Sequence, residues 1–143
     1  MTTEYFSYEY YEDLYYNEPE RIYRLFSASE RYTILLIAEY LEARNYTWFC
    51  YHVLYYYYIK LRNKKFHWHT IERNIRRLTY TYNLFTPRHS KYSNHARKGC
   101  FTPTRSFYLI LDVLKPRLAE AGMPGSNLAA PSGLRPASAG GRW

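Results

Sequence analysis

The chain has 143 residues, 19 of them Tyr, 7 Phe and 3 Trp, and a formal net charge of +8. That length fits one domain of ordinary size with short extensions. No stretch reaches the roughly 18 uncharged apolar residues of a membrane span, and two cysteines, Cys50 and Cys100, are too few for a disulfide framework, so both are expected as free thiols in a reducing compartment.

The opening "MTTEYFSYEYYED" is acidic and gives little structural signal. It lacks the basic start and apolar centre of a signal peptide, which makes an intracellular, cytoplasmic protein the expectation. Residues 1–17 are read as a tyrosine-rich extension. Its rings, among them Tyr8, Tyr11 and Tyr15, can add aromatic cover, form a dimer surface, or lie against a basic face. In "NEPERIYRLF" Asn17 can cap a helix, Pro19 suits a first turn, and Glu20 stands at capping-box distance. Ile22, Leu25 and Phe26 then share one face. A second start follows in "SASERYTILLIAEYLEAR", where Ser27 and Glu30 form a capping box and Ile34, Leu35, Ala38 and Leu41 recur at helical spacing. Asn45 is its stop.

Thr47 is the expected cap of "WFCYHVLYYYYIKLR", with Cys50, Val53, Leu54, Tyr57 and Leu61 on one side of a helix. A strand through Tyr55–Tyr58 is the alternative, because aromatic residues favour pleated sheet. In "HWHTIERNIRRLTYTYNLF" the residues Ile71, Ile75, Leu78 and Tyr82 are four, three and four apart, which predicts one buried helical stripe. His69, Arg73, Arg76, Arg77 and Tyr80 then fall on the opposite half of the cylinder. "TPRHSKYSNHARKGCFTPT" has no apolar period and reads as a loop. "TRSFYLIL" has strand composition, and "LDVLKPRLAEAG" reads as a short closing helix with Pro116 near its first turn and Gly122 as its stop. The Pro/Gly/Ala-rich residues 122–143 read as a disordered tail, and residues 18–121 as the folded domain.

Charge is segregated along the chain. Residues 1–20 contain six acids and no Lys or Arg, whereas residues 60–105 contain twelve basic residues and one acid, Glu72. Scattered lysines are usually a solvated surface. A one-signed block interleaved with aromatic residues faces a polyanion more often, and nucleic acid is the commonest such partner.

Helices followed by a short strand, a basic loop and a returning strand give a mainly α fold with a small β-hairpin. With "HTIERNIRRLTYTYNLFTPR" at its centre, residues 18–121 resemble the winged helix-turn-helix superfamily of DNA-binding proteins. A weaker, compositional likeness is to small winged-helix proteins of archaeal viruses. The resemblance implies a sequence-specific regulator of transcription that binds double-stranded DNA, as a homodimer because one domain reads a half-site. It implies His69, Thr70, Arg73, Arg76, Arg77 and Tyr80 in the major groove. Arg88, Lys91, Arg97, Lys98 and Arg105 would serve the wing and the phosphate backbone. The wing, Arg88 to Pro103, is long for that family, and the helix before the recognition helix is unusually rich in tyrosine. An ordinary amphipathic helix with a solvated basic face is the plainer alternative.

Two metal-dependent readings compete with this one. "FHWHT" fits the His–hydrophobic–His triplet of endonucleases that attack DNA with a tyrosine, but that triplet needs a strand, where residues i and i+2 share a face. The helical period after His69 argues against it. Zinc ligands drawn from Cys50 and His52, or from His89, His95 and Cys100, match no standard spacing. Glu72 is expected as a surface partner and Asp112 as a helix cap. Neither catalysis nor a cofactor is expected. A non-enzymatic module for RNA or an acidic protein is the third class.

Overall fold

The computed structural model describes residues 6–62, 64–88 and 99–120, apart from the side chains of residues 118–120. Along the chain run α1 (Tyr8–Asn17), α2 (Pro19–Leu25), α3 (Ala28–Arg44), β1 (Phe49–Cys50), α4 (Tyr51–Ile59), α5 (Trp68–Tyr80), β2 (Phe85–Pro87), β3 (Cys100–Pro103) and α6 (Arg105–Glu120). The described residues are thus mainly helical, with one small antiparallel sheet in the order β1-β3-β2. Residues 1–5, 63, 89–98 and 121–143 lie outside the described residues. With them go the expectations placed on Lys91, Arg97, Lys98, His89, His95 and Gly122.

Helix α3 is the centre of the molecule. Its capping box is formed as the sequence predicts: Glu30 N–H donates to Ser27 Oγ at 3.2 Å, and Ser27 N–H donates to Glu30 Oε1 at 2.8 Å. Asn45 ends the helix in the left-handed conformation with φ 58°, a state asparagine tolerates better than most residues. Eleven of its 17 residues are buried, too many for the single stripe Ile34, Leu35, Ala38 and Leu41. The helix is therefore covered on more than one side, and α4, α5 and α6 all pack against it.

Local chemistry explains the starts and stops that differ from expectation. The opening segment contains a helix capped by Ser7, whose Oγ accepts Tyr10 N–H, and it buries Tyr11 and Leu14. Tyr11 donates its hydroxyl to the Tyr82 carbonyl at 2.7 Å, which satisfies a fully buried phenol. Asn17 is the last residue of α1 and donates to Asp13, so the cap of α2 is Glu18 instead. Helix α4 begins at Tyr51 and not at Thr47, because Phe49 and Cys50 are drawn into the sheet. The tyrosines 55–58 are helical. "TRSFYLIL" is helical from Arg105 on: the strand ends at Pro103, and α6 runs through Pro116 instead of starting there. Asp112 consequently lies within that helix and accepts the Tyr15 hydroxyl, where a capping role was expected.

Cys50 and Cys100 form a disulfide, contrary to the expected free thiols. The strand register sets the two residues opposite each other, Phe49 against Phe101 and Cys50 against Cys100. A separation of 50 residues hid that pairing from the sequence. Both candidate zinc sets lose a ligand to this bond. No described helix is long and apolar enough to cross a membrane.

One buried group opposes the fold. Glu39 on α3 is 2% exposed, and neither carboxylate oxygen has a hydrogen-bond partner among the described residues. Burial, reinforced by Glu42 and opposed by Lys115, pushes its carboxyl up to about 9. The folded chain therefore keeps a proton that the unfolded chain releases near the ordinary carboxylate range. Stability must fall as pH rises between those two values. Glu39→Gln is expected to flatten this slope and to raise stability at pH 8 by on the order of 3 kcal/mol. Urea unfolding at pH 5 and pH 8 measures it, and identical slopes in both chains would contradict the assignment.

Candidate nucleic-acid interface

Helix α5 owes its orientation to its buried side. Ile71, Ile75 and Leu78 are fully buried, as is most of Tyr82 beyond the helix end. Burying each aliphatic side chain is worth about 1.5–3 kcal/mol, far more than any surface preference of the arginines. Two polar contacts then fix the rotation about the axis. Asn74, buried on the flank of the aliphatic stripe, donates to Ser29 Oγ at 3.1 Å and to Thr33 Oγ1 at 3.2 Å on α3. Arg77 Nε stands 3.0 Å from Glu30 Oε2, with the Glu30 side chain only 7% exposed.

What remains outside is a second stripe. His69, Arg73, Arg76 and Tyr80 are all exposed. They repeat the four-three-four spacing of the buried stripe, rotated by about 200°. Arg73 and Arg76 have no ion-pair partner among the described residues, whereas Arg77 is tied to the fold. The Tyr82 phenol and then Glu30 raise its already high pKa further. Arg77 is therefore a bracket between α5 and α3, although its side chain stays 58% exposed. Thr70 is half-buried, on the same flank as Arg77. His67 precedes the helix as its N-cap, and its ring lies parallel to that of His69 with centroids 6.1 Å apart. With Trp68–Tyr80 helical, the triplet does not occupy a strand. The described residues contain no group of three or more His, Cys, Asp or Glu able to hold a metal.

The hairpin is anchored beside this face. Arg88 N–H donates to the Cys100 carbonyl at 2.8 Å and closes the base of the basic loop. On the returning side Gly99 has φ 80°, and a Cβ there would stand 2.4 Å from the Tyr51 ring. Its carbonyl accepts Tyr51 N–H at 2.8 Å. The Tyr51 ring packs edge-on against Phe101 with centroids 5.3 Å apart. Burial raises its phenol pKa, and the charge of Arg76 opposes that rise. Tyr51 thus holds Gly99, where the basic segment returns to the sheet, a role sequence spacing did not reveal. The signal available was an aromatic residue next to a strand-forming Phe-Cys pair.

The other expected contacts are dispersed. Arg88 lies over the Trp48 ring at 4.5 Å and donates to Thr102 Oγ1 at 3.4 Å. Arg105, at the start of α6, stacks on Tyr8 of α1 at 3.9 Å, so its guanidinium is committed to the helical layer. Lys60, Arg62 and Lys64 are exposed in the turn between α4 and α5 and were not singled out by the sequence.

The chain matches no protein-family model, and neither a curated protein nor a solved structure is detectably similar to it.

The bracket role separates three arginines that look alike in sequence. Arg77→Ala is expected to lower stability by about 1 kcal/mol, while Arg73→Ala and Arg76→Ala stay within about 0.5 kcal/mol of the parent. Thermal unfolding reads the difference, and equal tolerance at all three positions would contradict it. Reducing the Cys50–Cys100 bond is expected to cost about 2–4 kcal/mol in urea unfolding. Thiol titration of the unreduced, denatured chain should find neither cysteine; two reactive thiols would overturn the pairing.

Proposed function

We propose that this chain is a winged helix-turn-helix protein that binds double-stranded DNA sequence-specifically and regulates transcription. The reading is supported by the succession α3, α4, α5, β2, basic loop, β3, with β1 widening the hairpin to three strands. In this reading α5 is the recognition helix and residues 88–103 are the wing.

The observation that carries the proposal is the exposed stripe His69, Arg73, Arg76 and Tyr80. The major groove is about 12 Å wide and admits a helix of this kind. Arginine offers a planar fork to the O6 and N7 of guanine, and each good bidentate pair discriminates by about 1–3 kcal/mol. Arg73 and Arg76 are the two guanidiniums of α5 available for that task. Arg88 and the basic residues of the loop would hold phosphates, which makes binding fall steeply with salt through counterion release. Because one such domain spans a half-site, the DNA-bound form is a homodimer in this reading.

Duplexes enriched from a random-sequence pool by the parent protein supply the substrate for the test. Arg73→Ala combined with Arg76→Ala is expected to weaken binding to the enriched duplex at least about 30-fold. Its unfolding midpoint should not change, since Arg77 and its bracket are left in place. Failure of the pool to enrich, or unchanged affinity of the double variant, would refute the groove assignment.

A further inference from the structure

Helix α4 turns an aromatic face outward. His52, Tyr55, Tyr56 and Ile59 are exposed and stand at i, i+3, i+4 and i+7, so they share one side of the helix. Tyr56 is 59% exposed and Tyr55 38%. The face continues onto α5, where the half-buried Trp68 meets Tyr55 with centroids 5.2 Å apart, and Tyr55 meets Tyr56 at 5.9 Å. Tyr58 supports this row from the protein side. It is buried, its ring packs against both Tyr55 and Trp68, and its hydroxyl donates to the Phe66 carbonyl at 2.7 Å. Cations border the row. Lys60 is exposed one turn beyond Tyr56, and Lys64, also exposed, places its Nζ 6.0 Å from the Tyr58 centroid. No Asp or Glu stands between Glu42 and Glu72 in the sequence.

From this arrangement we infer that the outer face of α4, with Trp68, binds single-stranded DNA by stacking on its unpaired bases. Single exposed tyrosines are ordinary on a protein surface. A row of rings in mutual contact, held from beneath and bordered by lysines, is the combination that single strands require: flat surfaces for the bases and positive charge for the phosphates. A duplex does not fit this face, because its bases are stacked on one another and present only their edges. A second copy of the chain fits less well than a polyanion. Docked about a dyad, it would bring the lysines of one chain towards those of the other, whereas phosphates would neutralise them. DNA is favoured over RNA because Trp68 immediately precedes His69, where the stripe on α5 begins, so the row adjoins the surface assigned to duplex DNA. That choice rests on the DNA-binding reading, while the stacking face itself does not.

Fluorescence anisotropy of labelled strands, titrated with the full, disulfide-bonded chain, tests the inference. The probes are oligothymidylate of about 12 nucleotides, an abasic strand of the same length and charge, and oligouridylate. Oligothymidylate is expected to bind saturably, with the abasic strand at least about tenfold weaker and oligouridylate no tighter. Tyr56→Ala should weaken oligothymidylate binding at least about fivefold, and Tyr56→Phe should stay within about twofold of the parent. Neither change should shift the unfolding midpoint, since Tyr56 lies outside the core. Absent binding, equal binding of the abasic strand, or indifference to Tyr56→Ala would overturn the inference. Tighter binding of oligouridylate would overturn the choice of DNA, and a dimer that Tyr56→Ala converts to a monomer in sedimentation would give the face to a second copy instead. Arg73→Ala combined with Arg76→Ala should leave oligothymidylate binding within about threefold of the parent. Failure of a duplex to enrich and failure of the single strand to bind are therefore separate results.

Discussion

The docking of α5 on α3 is the constraint from which the rest of the molecule follows. Helix α3 is apolar on several sides and so must be enclosed, and α5 supplies one wall with Ile71, Ile75 and Leu78. Aliphatic contact alone would leave the helix free to roll by some tens of degrees. Asn74 removes that freedom, because a buried amide rotated away from Ser29 and Thr33 would lose its partners at a cost of about 1–3 kcal/mol. Arg77 and Glu30 add a second stop on the same flank. Glu30 serves twice, capping α3 through one oxygen and holding Arg77 with the other. The direction of Arg73 and Arg76 is thus a consequence of core packing.

The same logic divides the chain's charge. The acidic N-terminal segment packs along α6, where Tyr15 meets Asp112 and Arg105 covers Tyr8. Glu20 pairs with Arg117 at 2.5 Å on that side. Tyr11 and Leu14 join the single core, so the segment 8–17 is aromatic cover. The exposed cations of α5 face outward instead. On the hairpin side, the disulfide, the Gly99–Tyr51 bond and the Arg88–Cys100 bond hold both ends of the basic loop to the body. Arg88 and Gly99, which flank residues 89–98, are both tied to the body.

Local signals were legible in the sequence, and long-range ones were not. The Ser27–Glu30 box, the Asn45 stop and the stripe Ile71–Tyr82 depend on residues a few positions apart, and the structure has all three. The Cys50–Cys100 bond and the start of α4 depend on which strand lies opposite, which spacing along the chain does not encode. "TRSFYLIL" is rich in residues that favour strands, but a helix face docked on the core outweighed that preference, as tertiary context commonly does. Pro116 is tolerated inside α6 at an exposed position, where its missing N–H costs one backbone bond. Of the candidate site, the exposure of His69, Arg73, Arg76 and Tyr80 was readable from period alone. The engagement of Arg77 was not, because Glu30 lies 47 positions earlier in the sequence.

In the proposed reading, guanidiniums on α5 meet base edges in the major groove. Methylation interference at guanine N7 tests it most directly, because the N7 methyl group occupies the acceptor an arginine fork would use and leaves the phosphates untouched. Methylated guanines within the bound sequence are expected to be excluded from the bound fraction. Binding that tolerates N7 methylation throughout the site would contradict it.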